Sequence, residues 1–408
     1  MILQKAKVLK LTKKSKQSLN SLKFNKHVSD LQFLPNFIKR KSVLFSTFVL
    51  VSLLKSGIWV FPSIPASFII SQSPFQQPFS SENDQYLMTY WFASFFANLI
   101  GIKTLASFII FHFVIGVLTL FILFRFIRIR VKQEHQGKSL LLLAMLPTLS
   151  TIFYWTGMDT FIVFVMSCLA INYKKPFLLI LFGILGGMQH FEIMIAGTAT
   201  LLFYNMICNN AFNIFKLKQY TKNTDIFSPF MMVLGVILGK IILIYIFEVN
   251  NIKVARDGIA LGFYYFSKSA NLAVSLFLPI LLSKLGSIWI FFILAILQKT
   301  KESLALFLSA LIPLVLVFIV LDETRILQLT GFLLILFGLI TNENFLSKLS
   351  DGIIKAIIIL WVFLPWVWVW QKVFGSVTFF SIKYALSRIF TNDLAPWIGS
   401  ITMWPFKF

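Results

Sequence analysis

Residues Thr104–Phe124 read TLASFIIFHFVIGVLTLFILF and contain no Asp, Glu, Lys or Arg. A run of this length and apolarity is predicted to cross a bilayer, whose hydrocarbon core needs about 20 residues of helix. A basic cluster follows it directly, formed by Arg125, Arg128, Arg130 and Lys132. Because cytoplasmic loops of membrane proteins are enriched in Lys and Arg, this end of the helix is predicted to face the cytoplasm.

The whole chain has the composition of a membrane protein. Of its 408 residues, 58% are apolar and 13% are charged, and the mean hydropathy is +0.84. Soluble domains average roughly 45–50% apolar and about 25% charged residues, so a water-soluble protein is excluded. The 37 Lys and Arg exceed the 15 Asp and Glu by 22. In this apolar background the excess indicates loops beside an anionic leaflet, and no nucleic acid is expected as a partner.

Further apolar runs bring the prediction to about eleven membrane segments, and the predicted fold is an all-α, polytopic integral membrane protein. The runs include Ser42–Phe61, Ser139–Trp155, Phe230–Phe247 and Ile353–Trp370. Two shorter runs between residues 177 and 208 are separated by Gln189-His190-Phe191-Glu192. Irregular backbone at membrane depth is tolerated only inside protein or beside a cavity, so this patch predicts a buried break.

The charges divide the loops into two sets. Residues 1–41 form a basic arm, 42–372 the predicted transmembrane domain, and 373–408 a tail without a clear span. Basic residues concentrate in the loops at 125–138, 174–176, 209–227, 298–303 and 342–352. The opposite loops hold Glu82, Asp84, Asp159, Glu192, Asp257 and Asp322. The positive-inside rule therefore predicts a cytoplasmic N-terminus and an outer C-terminal tail.

A few polar residues inside apolar runs have simpler explanations. Lys55 and Lys240 lie within predicted spans and are expected to snorkel toward the membrane surface. Cys168 and Cys208 both lie in apolar runs, a placement that supports neither a disulfide framework nor a metal cluster. The chain contains no P-loop, HExxH or GxSxG motif, so the common soluble-enzyme chemistries have no support.

Carboxylates on the predicted outer side are the first candidates for function, because charge at the membrane is expensive. Asp84 precedes a predicted helix and suits either a general base toward a hydroxyl or a helix cap. Asp159 lies in a tight turn between two spans, where a place in a shared cleft and a capping role are both open. His190 and Glu192 occupy the predicted break, as substrate-orienting or as structural hydrogen-bonding residues.

Cations in two outer loops complete the candidate set. Arg325, which ends the turn Asp322-Glu323-Thr324-Arg325, is best suited to a phosphate because its planar fork binds two oxygens. A local ion pair between Asp322 and Arg325 is the alternative. Lys253 and Arg256 precede this turn in an outer loop, where they either add positive charge to the site or are solvated.

This polar layout resembles the GT-C superfamily of polytopic glycosyltransferases, which use polyprenyl-phosphate-linked sugars on the outer side of a membrane. Their first outer loop carries an acidic motif, often Asp-Glu followed shortly by Tyr. It is matched by Asn83-Asp84-Gln85-Tyr86, with Gln85 in place of the second acid. Gly157-Met158-Asp159 is similar to a later acidic position of the family, and the short helix pair at 177–208 is similar to its fold.

The resemblance implies an inverting glycosyltransferase. Asp84 would accept the proton of an acceptor hydroxyl, with Asp159 as a second catalytic carboxylate that orients the substrates. Arg325 would stabilise the departing lipid phosphate. The implied substrate-binding residues are Arg325, His190, Glu192, Asp322, Lys253 and Arg256.

The implied partners are a lipid-linked sugar donor and membrane lipid, in a polysaccharide or glycolipid pathway at a bacterial plasma membrane. No cofactor is assigned; a divalent metal is compatible with the family, although Gln85 replaces one acid.

Two other functions stay open. A multi-pass transporter or flippase would use intramembrane charges to line a pathway, and a polysaccharide polymerase would share the location and the lipid-linked substrates.

Overall fold

The computed structural model describes residues 31, 34–35, 40–56, 58, 63–79, 86–154, 156–211, 223–254, 274–275, 277–318, 323–364, 366–370 and 373–377. The first helices are α1 (Lys41–Ser56), α2 (Ile64–Gln72), α3 (Trp91–Leu99), α4 (Leu105–Arg130), α5 (Gln136–Met145), α6 (Pro147–Tyr154) and α7 (Met158–Ile171). A 3₁₀ turn, Tyr86–Tyr90, leads directly into α3.

The second half continues with α8 (Pro176–Cys208), α9 (Thr224–Val249), α10 (Phe277–Leu285), α11 (Trp289–Leu297), α12 (Lys301–Val317), α13 (Glu323–Leu334), α14 (Glu343–Leu346) and α15 (Asp351–Phe363). A 3₁₀ turn, Gly286–Ile288, joins α10 to α11, and a π-helical segment, Ile335–Ile340, extends α13. Strands β1 (Trp366–Trp370) and β2 (Val373–Val377) form an antiparallel hairpin in which Trp366 pairs with Val377.

Four helical segments in the described part of the chain are long and apolar enough to cross a membrane. They are Leu105–Arg130, Pro176–Cys208, Thr224–Val249 and Ile280–Leu297. The fourth segment runs through α10, the 3₁₀ turn and α11. This confirms in outline the predicted multi-pass, helical membrane architecture.

Helix α4 is apolar both on the face that packs into the core and on the face that is exposed. Thr104 caps its N-terminus by accepting a hydrogen bond from the Ser107 N–H, and Arg128 and Arg130 occupy its last turn, where cations are favoured by the helix dipole. One face packs into the core, with Phe108 and Ile115 buried. The opposite face is just as apolar and is exposed, at Ile110, Phe113, Val114, Val117 and Phe121. A helix that is apolar on all sides needs lipid or protein around it.

Helices α8 and α9 form a pair whose backbones touch. A Cβ atom added to Gly187 of α8 would lie 2.2 Å from the carbonyl oxygen of Val236, and one added to Gly239 of α9 would lie 2.2 Å from that of Ile184. Gly183 and Gly235 meet in the same way one turn away. Small residues four apart let membrane helices approach closely enough for dispersion contacts to hold them together.

Loops predicted to share one side of the membrane lie together in the structure. On the basic side, Lys132 contacts Glu343, and the Lys138 ammonium donates to the Leu349 carbonyl. On the opposite side, the Lys253 N–H donates to the Gln77 side chain. Each of these contacts joins loops that the charge pattern assigns to the same side.

Three predictions about spans and lysines are wrong. Ser139–Trp155 is two helices rather than one, because α5 ends at Met145 and α6 restarts at Pro147, which lacks the N–H that a continuous helix would need. Ile353–Trp370 is not one helix either, since α15 ends at Phe363 and Trp366–Trp370 form β1. Lys55 does not snorkel: it is 4% exposed, donates to the Trp361 carbonyl and lies over the Trp361 ring.

We expect Gly239→Ala to destabilise the protein by about 1–3 kcal/mol, because the added methyl group overlaps the α8 backbone, which cannot move as a side chain can. The measurement is the thermal unfolding midpoint of the purified protein in detergent. Gly352→Ala in α15 is the matched control, since its nearest neighbour is a Ser350 side-chain oxygen at 3.9 Å. Equal midpoints for the two variants would contradict backbone contact between α8 and α9.

The exposed Lys132–Glu343 contact predicts a small pH dependence. Partial burial raises the pKa of Glu343, but hydrogen bonds from the Lys132 side chain and backbone and the charge of Lys132 outweigh it, so this pKa lies below its usual value. A carboxyl with a lowered pKa stabilises the fold above its unfolded pKa, and this stabilisation disappears as pH falls through the folded pKa. The midpoint difference between the protein and Glu343→Gln should therefore be present at neutral pH and vanish in acid; a difference that persists in acid argues against the contact.

Candidate active site

A buried ion pair lies where α7 and α13 begin. Arg325 Nε donates to Asp159 Oδ2 over 2.5 Å, with the Asp159 side chain 3% and the Arg325 side chain 10% exposed. Asp159 belongs to the first turn of α7 and Arg325 to the first turn of α13. Two charges far apart in sequence therefore neutralise each other inside the bundle, as buried charges must.

The local roles predicted for these two residues need correction. Asp159 is not the N-cap of its helix, because Gly157 holds that position. The hydroxyl of Thr160 accepts from the Gly157 N–H and donates to the Ile152 carbonyl, so the helix start is capped without the carboxylate. Arg325 lies within a helix and not in a turn. Both side chains are thus available for contacts between helices.

Tyr90 is the third member of the cluster. Arg325 Nη2 donates to the Tyr90 hydroxyl, and the guanidinium carbon lies 5.4 Å from the centre of the Tyr90 ring. The Tyr90 ring in turn meets the His190 ring edge to face at 4.9 Å. Sequence reasoning missed Tyr90; its place four residues after Tyr86 of the acidic motif was the available signal.

The predicted break in α8 falls at His190, whose φ of −165° and ψ of 92° are not helical. At this kink Gln189 is fully buried: its Oε1 accepts from the Ala93 N–H, and its Nε2 donates to the Met158 carbonyl. Ala93 lies in the first turn of α3, where backbone N–H groups have no partner within the helix. Gln189 therefore ties α3 and α7 to the kink; the sequence placed it in the break but assigned it no role.

His190 has two alternative hydrogen bonds at one nitrogen. Its Nδ1 lies 3.4 Å from the Ile193 backbone nitrogen and 3.3 Å from Glu192 Oε2. Nδ1 accepts from the Ile193 N–H only when it carries no proton, and it donates to Glu192 only when it does. The Glu192 side chain is 46% exposed, so the kink connects the buried cluster with the surface.

Asp159 Oδ1 is buried and has no hydrogen-bond partner among the described residues. A carboxylate oxygen in this state is an acceptor whose desolvation has not been compensated. A hydroxyl or water brought to it would gain a charge-assisted hydrogen bond. The arrangement can therefore orient a hydroxylated ligand beside the guanidinium of Arg325.

A second group of polar side chains follows α13 away from Arg325. The amide of Gln328 donates to the Ser283 carbonyl, and its oxygen accepts from the Thr151 hydroxyl, which lies within 3.1 Å of the Pro147 carbonyl. All three side chains are buried. These bonds join α6, α10 and α13 beneath the ion pair, and sequence reasoning did not single out any of the three residues.

Of the other predicted site residues, one is exposed and three are not described by the structure. Lys253 is exposed, and its backbone contacts Gln77. Asp84, Arg256 and Asp322 lie outside the described residues. No group of three His, Cys, Asp or Glu able to hold a metal ion occurs in the described part of the chain. Comparison of the chain with known families, with characterised proteins and with solved structures gives no match.

Breaking the buried ion pair should lower the free energy of unfolding far more than breaking an exposed ion pair. We expect Asp159→Asn and Arg325→Met each to destabilise the protein by about 3–5 kcal/mol, because each leaves one buried charge without its partner. The double variant should recover much of this loss, which thermal unfolding of all three variants measures. Lys132→Met with Glu343→Gln is the control cycle at an exposed pair, where the coupling should be much weaker. Additive losses at Asp159 and Arg325 would show that the buried pair is not coupled.

Proposed function

We propose that the protein is an inverting membrane glycosyltransferase that takes its sugar from a polyprenyl-phosphate donor. The proposal includes the finer topology: about eleven membrane segments, a cytoplasmic N-terminus, an outer C-terminal tail and a bacterial plasma membrane. The reaction would then take place on the outer face. Its product would be a cell-surface polysaccharide or a glycolipid.

One observation carries the proposal. The 3₁₀ turn Tyr86–Tyr90 begins two residues after Asp84, and its last residue binds Arg325 and contacts His190. Asp84 precedes Tyr90 by six positions in the sequence. This short separation supports a role for the acidic motif beside the buried Asp159–Arg325 pair.

Three residues have separate roles in the proposed glycosyl transfer. Asp84 takes the proton from the acceptor hydroxyl as its oxygen attacks the anomeric carbon, and the bond from that carbon to the lipid phosphate breaks. Asp159 Oδ1 accepts a hydrogen bond from a substrate hydroxyl and so orients it. Arg325, positioned by Asp159 and Tyr90, stabilises the negative charge that develops on the departing phosphate.

Asp84→Asn should lower the transfer rate by about 10²–10⁴-fold, the usual contribution of a general base, with an unchanged unfolding midpoint. The assay uses the purified protein in lipid vesicles, polyprenyl-phosphate hexoses labelled in the sugar, and lipid and polysaccharide fractions as acceptors. Glu248→Gln is the control, because it removes an exposed carboxylate from the start of another predicted outer loop.

Two results would reject the proposal. One is an undiminished transfer rate in Asp84→Asn. The other is movement of the labelled donor across the bilayer with its sugar–phosphate bond intact, which is the result that a flippase would give. Release of unlabelled polyprenyl phosphate together with labelled acceptor, dependent on Asp84, is the expected result.

A further inference from the structure

Lys284 is a buried lysine outside the proposed active site. It lies in the last turn of α10 and is 4% exposed. Its side chain lies over Gly331 of α13, where an added Cβ atom would be 2.8 Å from Lys284 Cε and 2.9 Å from Nζ. Because Gly331 has no side chain, the ammonium group of Lys284 fits against α13 at this position.

No hydrogen bond or ion pair joins Lys284 to another residue in the part of the chain that the structure describes. An ammonium group has three donors, and burying one without partners is expensive. The C-terminal dipole of α10 offsets only about half an elementary charge. Asp159 is the one buried acid among the described residues, and its carboxylate is bound to Arg325.

A second donor lies in the turn that follows. The hydroxyl of Ser287, in the 3₁₀ turn after α10, is buried and has no partner among the described residues. An ammonium group and a hydroxyl are the donors that a phosphate takes. Leu278, also on α10, is 66% exposed, so the N-terminal part of this helix lies at the surface of the bundle.

We propose that Lys284 binds the phosphate group of a ligand, either a lipid headgroup or a free phosphate, between α10 and α13. This site is distinct from Arg325, since Gly331 lies six residues further along the chain, about 9 Å along a helix axis. It does not depend on glycosyl transfer. The bound phosphate supplies the counter-charge that the described chain does not.

The test is the thermal unfolding midpoint of the purified full chain in micelles of dodecyl maltoside, a detergent without a phosphate group. One arm adds inorganic phosphate, and the other adds phosphatidic acid. A ligand that binds only the folded state raises the midpoint with its concentration. A rise with inorganic phosphate identifies a free anion as the ligand source, and a rise only with phosphatidic acid identifies a lipid headgroup.

Lys284→Met keeps the length of the side chain and removes its charge. We expect the apparent phosphate affinity to fall about 10- to 100-fold, the loss typical of a charged hydrogen-bond partner. Gly331→Ala should also weaken binding, because its methyl group takes the place of the ammonium. Lys240→Met, a lysine on another membrane helix, is the control and should respond as the unmodified protein does.

The phosphate-free midpoint gives an independent readout. Lys284→Met should be at least as stable as the unmodified protein without phosphate, because it removes a buried charge that has no partner. A lower midpoint would overturn the proposal by showing that the chain itself stabilises the ammonium. So would the absence of any shift in the unmodified protein, or an equal shift in Lys284→Met.

Discussion

Asp159 and Arg325 lie 166 residues apart in the sequence and share a hydrogen bond in the interior of the helical bundle. Each charge alone would be too costly to bury, and in a bilayer no bulk water is near to solvate it. The first turns of α7 and α13 must therefore lie side by side whenever the protein is folded. The Tyr90 hydroxyl accepts a hydrogen bond from Arg325. The ion pair therefore also fixes the position of the 3₁₀ turn Tyr86–Tyr90.

The glycine contact between α8 and α9 and the kink at His190 have complementary effects. Close backbone packing holds the first half of α8 against α9 at Gly187 and Gly239, while the kink interrupts the helical hydrogen bonding just beyond. Polar side chains at a kink can then serve other helices, as Gln189 does for Ala93 and Met158. Irregular backbone at membrane depth is tolerated where protein surrounds it. The helices packed around the kink provide this protein environment.

Sequence reasoning predicted the features that depend on local composition. The apolar run Thr104–Phe124 begins at the N-cap of α4 and continues within the helix, and the polar patch at 189–192 contains the kink. Sequence reasoning was wrong where contacts between distant residues determine the local structure. Hydropathy does not distinguish a helix end from a strand of alternating Val and Trp, so Trp366–Trp370 was assigned to a helix. The burial of Lys55 depends on the Trp361 carbonyl, which no pattern near Lys55 reveals.

The candidate site shows the same limit at the level of single residues. Asp159 and Arg325 each stood out as a charge beside an apolar run, but their pairing is a property of the fold. A local role explained each one equally well: helix capping for Asp159 and an ion pair with Asp322 for Arg325. A lysine near a helix end normally snorkels, so the sequence alone gives no reason to expect Lys284 in the interior. Only its position over Gly331 shows that its charge is turned inward. In a chain with a formal charge of +22, most cations orient the protein in the membrane. The few buried ones require specific counter-charges, and a cation whose counter-charge is absent from the described chain is where an anionic ligand is to be sought.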